Sequence, residues 1–290
     1  MEYTIQNKEI QITVKDEGAE LISLILLETG EEYMWDRNPS YWNRTSPILF
    51  PFIGGLHEGS YIYNGNKYSM AKHGFLRDTM FEIGEVLEDT MWFSTKSTEE
   101  TLLCYPFAFS LEIGYRLVGR SVEVIWRIHN LGDTSMEYAI GGHPAFRCPR
   151  KEGESRTEYF IQVPVREQLQ QTKVSPKGLA MKEPCELVLD NSVIPITEAL
   201  FLEDALIFEG NQINEIALVD RNKKPYVRMR YDAPVIAVWS MPDTRAGFIC
   251  FEPWHGLCDV EGIHVPLEQR KWNNHLAPHS MDQKQYTIYI

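Results

Sequence analysis

Two titratable residues stand in tightly constrained sequence contexts. Glu252 follows the apolar run Gly247–Phe251 and precedes Pro253 and Trp254. Such neighbours disfavour a charged carboxylate and raise its pKa, which suits proton transfer near neutral pH. His143 lies in Gly141-Gly142-His143-Pro144-Ala145-Phe146. The two glycines let the backbone adopt tight conformations, and Pro144 removes a donor and fixes φ, so the position is rigid. An imidazole and a carboxylate facing one substrate are equipment for general acid–base catalysis. Taken singly, each has a plainer explanation. Glu252 would pair with a cation at a strand end, and His143 would be a core histidine bonded to a carbonyl.

Other polar residues offer themselves more weakly. His73 sits in Lys72-His73-Gly74-Phe75-Leu76-Arg77-Asp78, and Asp204 precedes the apolar Ala205–Phe208. A loop histidine and a turn aspartate are common structural devices. Arg44 and Arg77 lie in the same early part of the chain as His73 and serve equally as ion-pair partners. Trp42, Phe75 and Trp254 provide flat apolar faces of the kind that stack on sugars, although packing alone also uses them.

Elements that must position these residues read almost entirely as strands. Short alternating segments recur at intervals of about 8–12 residues, with almost no helical periodicity. Asn64-Gly65 joins Ser60–Tyr63 to Lys67–Met70 as a hairpin. Gly119-Arg120 joins a long pair, Phe109–Val118 and Ser121–Asn130. Prolines within Ile48–Gly55 argue against a central strand and suit an irregular segment beside a pocket. Residues 97–105 hold one helical turn, 197–202 read as a short helix, and 167–183 read as irregular. Gln285–Ile290 closes the sheet. No linker, repeat or low-complexity tract divides the 290 residues, so a single domain, a large antiparallel β-sandwich, is expected over 1–290. Aromatics at 12% agree with that class.

A formal charge of −13 repels phosphate backbones, so nucleic acid is not an expected partner. No apolar run is long enough to span a membrane, and the N-terminus lacks a basic then apolar leader pattern. Cys104, Cys148, Cys185, Cys250 and Cys258 are odd in number and scattered, without metal-ligand spacing. These features predict a cytoplasmic protein with free thiols. The expected state is a monomer or homodimer.

Four segments in order, Ser46–Gly65, Lys72–Asp78, Gly141–Phe146 and Phe251–Gly256, resemble the aldose 1-epimerase (galactose mutarotase-like) superfamily, and within it the LacX-like branch. The resemblance runs from Ile10 to Ile290. It implies an all-β, large antiparallel supersandwich acting on the anomeric carbon of sugars. It also implies Glu252 as general base, His143 as general acid, His73 and Asp204 as sugar ligands, and no cofactor or metal. One departure is clear. The family's arginine-bearing segment before the Asn-Gly hairpin here reads Phe50–Leu56 and contains no arginine. Arg44 or Arg77 would then supply the charge, with Trp254 also at the sugar. The His-Gly-Phe-x-Arg pattern resembles the hexose-6-phosphate 1-epimerase branch too, which leaves a phosphorylated aldohexose open as substrate.

The chemistry is simple to state. A base takes the proton of the anomeric hydroxyl while an acid protonates the ring oxygen as C1–O5 breaks. Rotation about C1–C2 and reclosure give the other anomer. Apolar neighbours should raise the Glu252 pKa, and the nearby carboxylate should raise that of His143. Activity would then be bell-shaped, in a window near or below neutrality. Two alternatives stand beside this one: a sugar-binding or sensing protein without turnover, and a metal-dependent isomerase. The latter lacks any clustered ligand set in the sequence.

Overall fold

A computed structural model describes residues 1–290. It contains 25 strands, one α-helix and four 3₁₀ turns. The helix, Glu99–Cys104, falls where one turn is expected and is capped by Thr98. Residues 197–202 form turns rather than the expected helix, because nothing there continues an apolar stripe. Within 167–183, read as irregular, Gln168–Thr172 is a strand. Its polar sequence pairs at a sheet margin, where one side needs no apolar cover.

Two antiparallel sheets dominate. The larger has nine strands, and Met281–Tyr289 lies inside it between Pro225–Tyr231 and Ser121–Asn130 rather than at an edge. The other has eight strands, with Leu206–Glu209, Val235–Trp239 and Phe248–His255 adjacent at its centre. Ile48–Leu49 is its edge strand, as the flanking prolines require. Asn64 and Gly65, both at positive φ, make the expected hairpin turn.

Strand alternation decides which residues face the main core. Ile236, Val238, Ile249 and Phe251 join Trp126, Tyr286 and Ile216 in a core cluster of 62 residues between the sheets. The intervening residues Ala237, Trp239, Cys250, Glu252 and Trp254 therefore lie on the opposite face of the eight-stranded sheet. Small satellite clusters pack there instead of a continuous core. Glu252 is thus carried by a rigid, fully buried strand but faces away from the main core.

Candidate functional site

His143 interrupts a strand. Ile140–Gly142 and Ala145–Arg147 both pair with Phe248–His255, and Pro144, lacking an N–H, stands in the gap. The register is the same on both sides: Gly141 opposes Trp254, and Ala145 opposes Cys250. His143 is therefore placed directly opposite Glu252. Nε2 of His143 lies 3.2 Å from Oε2 of Glu252. The preceding glycines are needed for closeness rather than for tight backbone conformations, since neither has positive φ. A Cβ on Gly141 would come within 2.6 Å of the Trp254 ring.

This pair forms part of the wall of a cavity of about 360 Å³. Trp42 lies against the imidazole at 4.8 Å between ring centroids, and Trp239 meets it edge-on at 5.5 Å. His73, Asp204, Arg77 and Trp254 also line the cavity. The fold thus brings together seven of the nine residues singled out from sequence; Arg44 and Phe75 are the exceptions. The Arg44 guanidinium turns to Asp78, at 2.5 Å, and to the Arg77 carbonyl, so it braces the loop and does not line the cavity. Phe75 packs against Phe50 and Phe109 in the core and is no sugar platform.

His73 is held by Gly54 at both ends. Its N–H donates to the Gly54 carbonyl, and its Nδ1 accepts from the Gly54 N–H at 3.1 Å. Accepting at Nδ1 leaves the ring proton on Nε2, a donor for a ligand. His73 and Gly74 both take positive φ. A Cβ at Gly74 would lie 2.1 Å from the Phe50 carbonyl oxygen, so only glycine fits. Asp204 also adopts positive φ, at 72°, an unfavourable conformation of the kind retained at functional sites. Its Oδ1 accepts from the Ala205 N–H, while Oδ2 has no hydrogen-bond partner.

Burial governs the electrostatics. It pushes the Glu252 carboxyl well above the usual range; Lys72 opposes this and Asp204 adds to it. That agrees with the expectation from its apolar neighbours. For His143 the expectation fails. Burial, and then the positive charges of Lys72, Arg77 and Arg44, pull the imidazole down to about 3. Burial thus acts against charge on both groups, favouring the neutral carboxyl over the carboxylate and the neutral imidazole over the imidazolium.

Cys250 completes a possible ligand set that spacing alone does not reveal. Ligand atoms of His143, Cys250 and Glu252 all lie within 4.8 Å of one another and are buried. Cys250 is two residues before Glu252 on the same strand face, and the turn of the chain adds His143. Burial raises the Cys250 thiol well above its usual range, so it sits there in the protonated form, which is not the metal-binding one. Lys72, Trp239 and Met241 also line the cavity but were not singled out from sequence. Lys72 had a visible signal, its place in the His73 motif. Trp239 and Met241 had none, because they arrive from a neighbouring strand end.

The chain can now be set beside known proteins. Protein LacX, in plasmid and chromosomal forms from Lactococcus lactis subsp. lactis, is 30% identical over 299 residues, covering 100% of this chain and 99% of the relative. A galactose mutarotase related enzyme from Lactobacillus acidophilus superposes with a TM-score of 0.92 at 32% identity, covering 100% of this chain and 97% of that one. A galactose mutarotase-like protein from Lactobacillus casei gives 0.90 at 27% identity, over 100% and 99% of the two chains. The architecture is accordingly the galactose mutarotase-like all-β fold. Residues 1–265 match the model of the aldose 1-epimerase family, and the chain belongs to that family.

Proposed function

We propose that this protein interconverts the α and β anomers of an aldohexose by acid–base ring opening and reclosure. The observation that carries the reading is the cross-strand contact of His143 with Glu252, at 3.2 Å, in the wall of a sugar-sized cavity. Burial favours a proton on Glu252 over a charged pair. Passing that proton from Oε2 of Glu252 to Nε2 of His143 creates a carboxylate base and an imidazolium acid without exchange with solvent. Lys72 favours the carboxylate. Glu252 then takes the O1 proton while C1–O5 breaks, its electron pair goes to O5, and O5 takes the proton from His143. An open-chain aldehyde results; rotation and the reverse transfers give the other anomer. Nε2–H of His73 and Oδ2 of Asp204 are suited to holding hydroxyls. We also read the chain as one domain, since the main core runs from Ile5 to Ile288.

A phosphorylated aldose is a second reading of the same chemistry. Lys72 lines the cavity without an ion-pair partner, whereas Arg77, also in the lining, has Nε 3.7 Å from Oδ2 of Asp78. The unpaired Lys72 favours an anionic substituent, in a protein of net charge −13. Polarimetry or NMR anomer exchange on fresh α-glucose, α-galactose and the hexose 6-phosphates tests both readings. Acceleration over buffer with any of them supports catalysis, and the ratio of 6-phosphate to free sugar decides the second point. Sugar binding with no acceleration in the wild type would overturn the catalytic reading in favour of a sensor.

A further inference from the structure

Anomer exchange as proposed gives Cys250 no task. It is a free, buried cysteine that alternates onto the same strand face as Glu252. Ala145 stands opposite it in the ladder, and the same pairing sets His143 opposite Glu252. One ligand atom each from His143, Cys250 and Glu252 thus falls within 4.8 Å of the other two. A tetrahedral zinc ion, bound at about 2.0–2.3 Å, holds nitrogen, oxygen and sulfur ligands about 3.3–3.6 Å apart. Nε2 of His143 and Oε2 of Glu252 are already 3.2 Å apart. Side-chain rotations of about 1 Å close the remaining gap. Nδ1 of His143 has no hydrogen-bond partner, so no bond on that side tethers the ring.

We propose that His143, Cys250 and Glu252 form an inhibitory site for a thiophilic divalent cation such as zinc, its fourth position open to the cavity. That the ion inhibits rests on the anomer-exchange reading; that it binds does not. Sulfur, nitrogen and oxygen ligands together suit zinc or cadmium, whereas magnesium and calcium prefer oxygen alone. Charge agrees with the location. A dication with one thiolate, one carboxylate and a neutral imidazole is neutral overall, so the buried wall holds no net charge. The thiol proton, and any proton on Glu252, leave to solvent as the bonds to the metal form. The bound ion takes the lone pairs of the His143 imidazole and the Glu252 carboxylate. These are the lone pairs that carry the proton of the reaction, so anomer exchange stops.

The test strips the wild-type protein with EDTA and then titrates it with zinc, following anomer exchange on whichever sugar it accelerates. Zinc should abolish the acceleration, EDTA should restore it, and magnesium should do neither. Cys250→Ser and Cys250→Ala, made separately, should keep exchange and raise the inhibitory zinc concentration by about tenfold or more. Cobalt(II) gives a spectroscopic readout that needs no turnover. It should show tetrahedral bands in the visible and a thiolate charge-transfer band in the near ultraviolet, the latter missing from both Cys250 variants. Cys258→Ala, which removes the other thiol lining the cavity, should change none of this. Exchange that zinc leaves untouched or accelerates would overturn the site while leaving the anomer-exchange reading intact. Inhibition equally strong in the Cys250 variants, or lost in Cys258→Ala instead, would overturn it too. If no sugar is turned over, that earlier reading fails and the cobalt spectra decide the site alone. A thiolate band that depends on Cys250 supports it, and the absence of that band overturns it.

Discussion

Replacing Glu252 by Gln should weaken catalysis and strengthen the fold in the same protein. Gln keeps the shape of the side chain but cannot accept the O1 proton, so kcat should fall by about 10²–10⁴. His143→Asn should lose a similar amount, and the double mutant little more, because both groups serve one transition state. Stability moves the other way for an electrostatic reason. Glu252 is 2% exposed, and burial raises its folded pKa well above the ordinary 4.5. Above pH 4.5 the unfolded chain releases this proton while the folded protein retains it. The folded state then binds more protons, so wild-type stability falls as pH rises through that window. Each pH unit changes the unfolding constant by about tenfold, roughly 1–2 kcal/mol, until the folded pKa is reached. Gln is neutral in both states and escapes the loss. Urea unfolding of both proteins at pH 5, 6 and 7 should show a stability advantage for Glu252→Gln that widens with pH. His143 is common to both proteins, so the difference isolates Glu252. A pH-independent difference, or a more stable wild type at pH 7, would refute the claim that Glu252 is buried in its neutral form.

Further outcomes follow from neighbouring features. Because burial lowers His143 to about 3 while it raises Glu252, kcat/KM should be flat across the mildly acidic range and fall only at higher pH, as the pair loses its proton. A narrow bell with limbs near 4.5 and 6.5 would contradict the shifts, since the pair would then titrate at its ordinary values. In His73→Asn, Oδ1 can replace Nδ1 as acceptor for the Gly54 N–H, and Asn tolerates the positive φ; kcat/KM should drop mainly through KM, with the unfolding midpoint preserved. His73→Ala leaves that buried N–H unpaired and should also cost about 1–3 kcal/mol in urea unfolding. Gly74→Ala would drive a methyl group into the Phe50 carbonyl, and its unfolding midpoint should fall by the equivalent of about 3 kcal/mol or more. Asp204→Gly removes an unfavourable φ along with the proposed sugar ligand, so calorimetry should find weaker sugar binding in a protein no less stable than wild type.

Sequence patterning determined the fold class, and it did so locally. Period-two alternation, Asn64-Gly65 and the prolines around Ile48 each constrain the few residues around them, and all agree on antiparallel strands. It also singled out Glu252, His143 and His73, because apolar, glycine and proline neighbours mark a constrained titratable group without any long-range information. What it could not supply was register. Whether His143 faces Glu252 depends on the pairing of two strands more than a hundred residues apart, and a slip of one residue would turn either side chain to the other face. The same pairing decides that Cys250 joins them and that Trp239 reaches the cavity. The choice between Arg44 and Arg77 was hidden for a similar reason, since the long Arg44 side chain is committed to Asp78 only once two loops meet. The protonation of the pair is the last thing decided by tertiary structure. Local neighbours indicated that the Glu252 pKa would be raised, but the lowering of His143 comes from complete burial and from Lys72, Arg77 and Arg44, which only the folded chain brings close.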